Sequence, residues 1–275
     1  MTILIVGDLV GTPGLEAVKE YLPSLIDEYK AGFVVVNAEN VYEGKGIRPS
    51  DADTIFGAGA DVITSGNHVW EKWQTKKVLA EYPNVLRPLN YPPGNAGNGF
   101  FVKRLSSNGK IAVLNLQGRT FMPDIDCPFR AVDWAIGKIG SNLPIVVDFH
   151  AEATAEKIAM GLYLDGRVSA VVGTHTHVPT ADAQILPKGT AYITDLGMTG
   201  PYDSVIGMAK EEAIKRFIYR TPFKYQTATE GIRLCGVAVT IELETNKATA
   251  IHQIIRPSFS DNTAFAGSVS QNSSV

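Results

Sequence analysis

The sequence predicts an α/β protein, and two observations support that prediction. Short apolar runs rich in β-branched residues alternate with longer amphipathic stretches, and residues 3–81 keep the order strand, helix, strand, helix, strand, helix. Such an order builds a parallel sheet with crossover helices. Ligands of parallel sheets bind beyond the carboxyl ends of the strands, so the residues that follow each strand are the first candidates for a site.

In the first part of the chain, apolar runs and helical spacing define six elements. The predicted strands are residues 3–6, 33–36 and 62–64. The predicted helices are residues 14–29, residues 50–57 with Ser50 as N-cap, and residues 70–81, closed by Pro83.

The rest of the chain predicts a second set of strands. A hairpin is expected from residues 99–103 and 111–116 across the turn 106–109, followed by a long polar loop over 115–126. Helices are predicted over 131–139 and 153–162, and strands over 145–149, 168–173, 191–194, 236–244 and 248–255. No linker divides the chain, so we predict one domain of two packed sheets over residues 1–257. Residues 258–275 are predicted to be a polar C-terminal tail.

Composition excludes several classes of protein. The chain has 275 residues and 45% hydrophobic content, enough for a sizeable core. Its net charge of -3 gives no basic field, so extended nucleic acid is not an expected partner. The chain shows neither a signal sequence nor an apolar run of membrane-spanning length, which predicts a cytoplasmic protein. Cys127 and Cys235 have no metal-ligand spacing.

A pair of histidines, His175 and His177, follows the predicted strand 168–173. In an extended backbone, residues i and i+2 point to the same side, roughly 6.5 Å apart at about 3.3 Å per residue. That separation suits two metal ions roughly 3.5 to 4 Å apart, with one histidine on each. The alternative is a hydrogen-bonded polar pair at a strand end. His68 and His150 also end apolar runs, and this favours the metal interpretation.

The other predicted strand ends carry oxygen ligands. Asp8 follows the first strand, Glu39 and Asn40 follow the second, and Asn67 follows the third, next to His68. Asp8 alone could be a helix cap, and asparagines alone could form turns. Together with the histidines they form a set of oxygen and imidazole ligands without thiolate, which suits manganese, iron, cobalt or zinc. Glu39 is central in the order of strand ends and is the favoured bridging ligand.

Several motifs resemble the ordered motifs of calcineurin-like metallophosphoesterases. They are Gly7-Asp8, Gly66-Asn67-His68, His150 and Gly173-Thr174-His175-Thr176-His177. The resemblance is closer to the YmdB-like branch of that superfamily, through residues 7–11, 37–40, 115–119 and 148–154, and it extends to about residue 257. It implies a two-sheet sandwich flanked by helices, with four layers in the order αββα.

Two positions depart from the wider superfamily in the way the YmdB-like branch does. The usual Asp-x-His is Asp8-Leu9-Val10, and the usual Gly-Asp is replaced by Asn37-Ala38-Glu39-Asn40. The resemblance implies His68 as general acid and two metal ions, with iron or manganese preferred over zinc, cobalt or magnesium. The implied ligands are Asp8, Glu39, Asn40 and His177 for one ion, and Glu39, Asn67, His150 and His175 for the other.

The function implied by the resemblance is hydrolysis of cyclic nucleotides, with 2′,3′-cyclic nucleotides opened to 3′-nucleotides. A hydroxide bridging the two ions would attack phosphorus, and His68 would protonate the leaving oxygen. One alternative is a nucleotide-binding regulator with slow or no turnover. A second is an amidohydrolase barrel, which also uses a His-x-His motif. The expected partner is a small phosphodiester, and a homo-oligomer is an open possibility.

A loop and a later segment are candidates for substrate contacts. Arg119, Phe121 and Met122 could clamp a phosphate and cover the base, or could belong to a surface loop anchored by a buried phenylalanine. Tyr202 and its two following residues could line the far wall of the site.

Overall fold

Two six-stranded sheets pack face to face in the computed structural model, which describes residues 1–105 and 109–261. The strands are β1 (Thr2–Val6), β2 (Ala31–Asn37), β3 (Val62–Thr64), β4 (Phe100–Arg104), β5 (Lys110–Gln117), β6 (Ile145–His150), β7 (Ala170–Thr174), β8 (Gln184–Ile185), β9 (Ala191–Ile193), β10 (Gly200–Pro201), β11 (Ile232–Glu242) and β12 (Lys247–Arg256). The helices are α1 (Gly11–Tyr29), α2 (Pro49–Gly57), α3 (Trp73–Glu81), α4 (Pro128–Ile139), α5 (Thr154–Leu164) and α6 (Lys210–Tyr219).

The first sheet has the strand order β10-β11-β1-β2-β3, with β12 paired to β11. Strands β1, β2 and β3 run parallel, and β11 runs antiparallel to β1. The second sheet has the order β4-β5-β6-β7-β9-β8, in which β5, β6, β7 and β9 run parallel. Two separate sheets, each with parallel and antiparallel pairs, exclude the single closed barrel of parallel strands of the amidohydrolases.

Side chains alternate across each strand and so define the layers. Ile3 and Ile5 of β1 pack between the two sheets, whereas Leu4 and Val6 face the helices α1, α2 and α3. A third cluster packs the outer face of the second sheet against α4 and α5. The fold is therefore the predicted four-layer αββα sandwich. None of the helices in the described parts of the chain is both long and apolar enough to cross a membrane.

The carboxyl ends of parallel strands from both sheets meet at one rim. The backbone N–H of His175, which follows β7 in the second sheet, donates to Oδ2 of Asp8, which follows β1 in the first, at 3.0 Å. This contact joins residues 167 positions apart in the sequence. The rim is where a ligand of such sheets is expected.

Three helix predictions need correction. Helix α2 begins at Pro49 with Arg48 as N-cap, so Ser50 is not the cap; Asp51 accepts the backbone N–H of Arg48 at 3.0 Å and satisfies the helix end instead. The predicted helix 70–81 is divided into a 3-10 helix, Asn67–Trp70, and α3. Helix α6 was not predicted, although Ala213, Phe217 and Ile218 recur at helical spacing; of its residues only Ala213 is buried.

Other boundaries shift by a few residues. Strand β5 continues to Gln117, so the first part of the predicted loop 115–126 is strand. Strands β8 and β10, of two residues each, were not predicted. The hairpin of β4 and β5 forms, while residues 106–108 of its turn lie outside the described residues, as do residues 262–275 of the predicted tail. The division into a domain and a tail stays a prediction.

Candidate metal centre

The predicted ligands lie together at the rim, and each comes from the end of a strand. Asp8 follows β1, Glu39 and Asn40 follow β2, and Asn67 begins the 3-10 helix after β3. His150 is the last residue of β6, and His175 and His177 follow β7. Their ligand atoms form two groups that share one carboxylate, namely Glu39 with His150 and His175, and Glu39 with Asp8 and His177.

His150 lies at the centre of the first group. Its Nε2 is 3.0 Å from Oδ1 of Asn67, 3.0 Å from Nδ1 of His175 and 3.1 Å from Oε1 of Glu39. Adjacent ligand atoms of an octahedral ion with bonds of about 2.1 Å are about 3 Å apart. The spacing of these side chains is therefore that of atoms that share a cation.

Three buried oxygens at this rim accept no hydrogen bond of acceptable geometry from the described residues: Oδ1 of Asp8, Oδ1 of Asn40 and Oε1 of Glu39, although the last lies 3.1 Å from Nε2 of His150. Nδ2 of Asn40 donates to the carbonyl of Gly44 at 2.9 Å, which fixes the amide so that its oxygen is left over. Leaving one buried polar atom unsatisfied costs about 1–3 kcal/mol, and more for a charged group. Three such oxygens beside imidazoles fit bound metal ions, which the oxygens would ligate.

The pKa values of these side chains also indicate that the buried carboxylates are stabilised by a nearby positive charge. Burial raises the pKa of Asp8 to about 6. Burial also opposes ionisation of Glu39, but the charge of His150 outweighs it and lowers the pKa of Glu39 to about 2. In return, despite its burial, the carboxylate of Glu39 raises the pKa of His150 to about 9. Because His150 must lose this proton to ligate a metal, metal binding competes with protonation.

A buried carboxylate, Asp148, orients the ligands from both sheets. Its Oδ1 accepts the hydroxyl of Thr174 at 2.7 Å, and that hydroxyl lies 2.9 Å from Nδ1 of His150. Since the Thr174 proton goes to Asp148, the Thr174 oxygen accepts Nδ1–H and leaves Nε2 of His150 for a metal. The other carboxylate oxygen accepts Nδ2 of Asn37 at 2.9 Å and the hydroxyl of Thr64 at 2.5 Å.

The geometry predicted for the histidine pair is wrong. His175 has φ 100° and His177 has φ 65°, so the pair does not lie on an extended strand. The chain turns because Oδ2 of Asp195 accepts both the backbone N–H and the hydroxyl of Thr176, at 3.1 and 2.8 Å. The turn places the two imidazoles in different ligand groups.

Asp195 is itself held by a buried cation. Nζ of Lys157, on α5, lies 2.6 Å from Oδ2 of Asp195, and both side chains are 1% exposed. Left-handed conformations of residues other than glycine cost about 1–3 kcal/mol each. The ion pair therefore stabilises a strained turn that carries two predicted ligands.

Glycine is required beside His150. A Cβ on Gly66 would lie 2.2 Å from Nε2 of His150 and 2.4 Å from Oε2 of Glu39. The backbone before Asn67 and His68 can therefore approach the ligand cluster only without a side chain.

His68 lies next to the ligands and is partly exposed. Its backbone N–H donates to Oε2 of Glu39 at 3.2 Å, and its Nδ1 lies 2.5 Å from Oε1 of Glu71. Residues i and i+3 of a 3-10 helix eclipse each other, which brings Glu71 over His68. The second oxygen of Glu71 accepts Lys45. This arrangement leaves Nε2 of His68 to exchange a proton with a substrate.

A cavity of about 860 Å³ opens onto the ligand cluster. One wall contains Glu39, Asn40 and His68, with His175 and His177, and the opposite wall is formed by residues from 205 to 225, including α6. The residues that the sequence suggested for this wall lie elsewhere. The hydroxyl of Tyr202 donates to the carbonyl of Met198 at 2.9 Å. Phe121 is 87% exposed, so the interpretation of Phe121 as a buried anchor is wrong.

Comparison with known proteins identifies the family of this chain. The family described as YmdB-like protein matches residues 4–254. The chain belongs to the YmdB-like family. It is 49% identical over 257 residues to a Bacillus subtilis protein named 2′,3′-cyclic-nucleotide 2′-phosphodiesterase, a match that covers 93% of this chain and 97% of that protein.

Two solved structures resemble this YmdB-like protein closely. A hypothetical protein from Thermus thermophilus has a TM-score of 0.88 and 40% identity, covering 93% of this chain and 98% of that one. A structure titled as a novel phosphatase from Mycoplasma pneumoniae has a TM-score of 0.88 and 36% identity, covering 93% and 92% of the two chains.

Sequence reasoning missed the residues that support the ligands of this YmdB-like protein. Asp148 lies within the motif 148–154 and Thr174 within the motif that contains the histidine pair, and no role was predicted for either. Glu152, whose Oε2 lies 3.0 Å from Nε2 of His175, lies in the first of these motifs and was not predicted to contact a ligand. Glu71 carried a local signal, since it follows His68 by three residues. Lys157 and Asp195 carried none, because their pairing joins distant parts of the chain.

Thr174→Val tests the orientation of His150. The variant removes the acceptor of Nδ1–H, so we expect a loss of about 1–3 kcal/mol in unfolding free energy and roughly 10- to 100-fold weaker metal binding. Thr64→Val is the matched control, since it removes a similar bond to Asp148 without touching His150. Calorimetric titration with manganese measures the affinity. Equal losses of affinity in the two variants would contradict the role of Thr174.

Lys157→Met tests the support of the histidine turn. Breaking a buried ion pair leaves Asp195 uncompensated, so we expect the metal-free protein to lose about 3–5 kcal/mol in unfolding free energy. Lys215→Met, which breaks the exposed pair with Glu211, is the control and should cost about 1 kcal/mol or less. Urea unfolding in the presence of a chelator measures both. Similar small losses would show that the buried pair does not stabilise the turn.

Proposed function

We propose that the protein is a metal-dependent phosphodiesterase that holds two metal ions and hydrolyses 2′,3′-cyclic nucleotides to 3′-nucleotides. The observation that carries this proposal is the set of three buried oxygens that lack a hydrogen-bond partner in residues 1–105 and 109–261, beside three imidazoles, at the mouth of a cavity. The name of the Bacillus subtilis relative supports the choice of substrate.

In this proposal each of the two ligand groups would hold one metal ion. Glu39 belongs to both groups and would bridge the ions, iron or manganese in preference to zinc, cobalt or magnesium. The first site would be completed by Asp8, Asn40 and His177, and the second by Asn67, His150 and His175. Bound metal ions supply Lewis acidity, which lowers the pKa of water and stabilises charge on phosphate oxygens.

His68 would serve as the general acid. Water adds to phosphorus and loses one proton to the solvent, the bond from phosphorus to the 2′ oxygen breaks, and the 2′ oxygen takes a proton from Nε2 of His68, which regains it from the solvent. Glu71 holds Nδ1 and so fixes which nitrogen carries the mobile proton. The hydrogen bonds from Lys45 and His68 lower the pKa of Glu71, although its partial burial opposes this.

A substrate panel tests the proposed function. Protein loaded with manganese or iron is assayed against 2′,3′-cyclic nucleotides, 3′,5′-cyclic nucleotides and linear diesters, with metal content measured in the same samples. We expect the highest kcat/KM for the 2′,3′-cyclic substrates and two metal ions per chain. Tight binding of cyclic nucleotides without turnover would instead identify a nucleotide-binding regulator.

Glu39→Gln tests the bridge between the two groups. The amide keeps the size of the side chain but removes the charge that both metal ions would share, so at least one ion should be lost. Metal analysis after dialysis measures the content. Glu211→Gln is the control, because Glu211 lies on α6 outside both ligand groups and its loss should leave both ions bound. Two tightly bound ions in Glu39→Gln would rule out the bridge.

His68→Ala tests the general acid. We expect kcat/KM to fall about 10²- to 10⁴-fold for a cyclic nucleotide, whose alkoxide leaving group needs a proton. An activated nitrophenyl diester, whose leaving group does not, should lose far less. Glu71→Gln should lower kcat/KM for both substrates in the same pattern but to a smaller extent. The metal content of both variants should equal that of the parent protein. Equal losses on the two substrates would remove His68 from the role of acid.

A further inference from the structure

One face of α6 forms the cavity wall opposite the metal ligands. Three of its residues line the cavity, and their spacing of i, i+3 and i+4 places them on the same side of the helix: Ala213, Arg216 and Phe217. Arg220, the C-cap residue in the left-handed conformation, lines the same cavity just beyond the helix end. Ala213 is buried and packs the helix against the protein, whereas the other three are exposed. The wall therefore presents two guanidinium groups on either side of an aromatic ring.

The charges of these two arginines are not neutralised by acidic side chains within residues 1–105 and 109–261. A side-chain contact of Arg216 in this part of the chain is with the sulfur of Met208, at 3.9 Å. By contrast, Lys215 on the same helix pairs with Glu211, and Lys45 in the same cavity pairs with Glu71. Guanidinium groups bind phosphate through two parallel hydrogen bonds, so an uncompensated pair of them favours a phosphate ligand.

The cavity is larger than a cyclic phosphate needs. Its volume of about 860 Å³ lies near the upper end of the range for small-molecule sites, about 300–1,000 Å³. It extends from Glu39 and His68 to Arg216 and Arg220. A 2′,3′-cyclic phosphate placed at the metal ligands would leave room for groups on the far side of the ribose, where the 5′ oxygen lies.

We propose that Arg216 and Arg220 form a subsite for a phosphate on the 5′ oxygen of the nucleotide whose 2′,3′-cyclic phosphate is hydrolysed. Phe217, between them, provides an apolar surface for the ribose or the base. This inference rests on the proposed function and narrows its substrate class. The 5′ phosphate is either a terminal monophosphate or the diester link to a preceding nucleotide, which would make the ends of short RNA chains substrates.

Three substrates separate these cases in the manganese-loaded protein. They are a nucleoside 2′,3′-cyclic phosphate with a free 5′ hydroxyl, the same compound with a 5′ monophosphate, and a dinucleotide that ends in the cyclic phosphate. We expect kcat/KM to be about 10- to 100-fold higher for the substrates with a 5′ phosphate. A preference for the monophosphate alone indicates free nucleotides, and a preference for both indicates chain ends.

Arg216→Gln and Arg220→Gln should each remove about tenfold or more of this preference and leave kcat/KM for the free 5′ hydroxyl compound within about twofold. Lys215→Gln removes the same charge from another face of α6 and should change neither value. Arg216→Lys keeps the charge but not the planar fork, so it should restore part of the preference. All three positions are exposed, so the four variants should keep the thermal midpoint of the parent.

A binding measurement separates this inference from the proposed function. Calorimetry compares a nucleoside 3′,5′-bisphosphate with the 3′-monophosphate, and we expect the bisphosphate to bind about tenfold or more tightly, with the advantage lost in Arg216→Gln. Equal affinities and equal kcat/KM values would overturn the subsite while leaving the phosphodiesterase proposal standing. Absence of hydrolysis for every substrate, with the binding preference retained, would overturn the activity and keep the subsite.

Discussion

The candidate metal centre depends on one buried carboxylate, Asp148, at the seam between the two sheets. It accepts Asn37 and Thr64 from the first sheet and Thr174 from the second. Each sheet contributes ligands at its own strand ends, so their relative position depends on how the sheets are held together there. Hydrogen bonds are directional, whereas the apolar packing between the sheets is not. Asp148 therefore fixes the strand ends of one sheet relative to those of the other, which apolar packing alone does not do.

The same carboxylate reaches the ligands through two short relays. Thr174 links Asp148 to Nδ1 of His150 through its hydroxyl. Asn37 links Asp148 to Glu39, because its Nδ2 donates to Asp148 and its Oδ1 accepts the backbone N–H of Glu39 at 3.2 Å. Burial raises the pKa of Asp148, and the hydrogen bonds from Thr64 and Thr174 oppose that rise. A second contact reinforces the seam, because the amide of Asn115 in β5 bonds both backbone groups of Ser65 after β3, at 3.0 and 2.9 Å.

The sequence was sufficient to predict the fold and the positions of the candidate ligands, because both follow from local patterns. Buried strands show as apolar runs, and the polar residues that end them, such as Asp8 and His150, stand out against those runs. The turn at His175 and His177 could not be predicted, since it depends on Asp195, which lies 19 residues beyond Thr176. Helix α6 was missed although Ala213, Phe217 and Ile218 recur at helical spacing; only Ala213 of its residues is buried, so this stripe does not mark a core helix.

The two features that were not predicted lie on the same cavity but differ in burial. The ligand side is built on buried strands and carries strain in left-handed backbone, which only a surrounding network such as that of Lys157 and Asp195 can hold. The α6 side packs through Ala213 alone among its helical residues and contributes little to the core. Segments with few buried contacts open at lower free energy than the core. Helix α6 can therefore adjust to a substrate more readily than the strand ends that carry the ligands, so the chemistry and the choice of substrate can reside in parts of the fold with different stability.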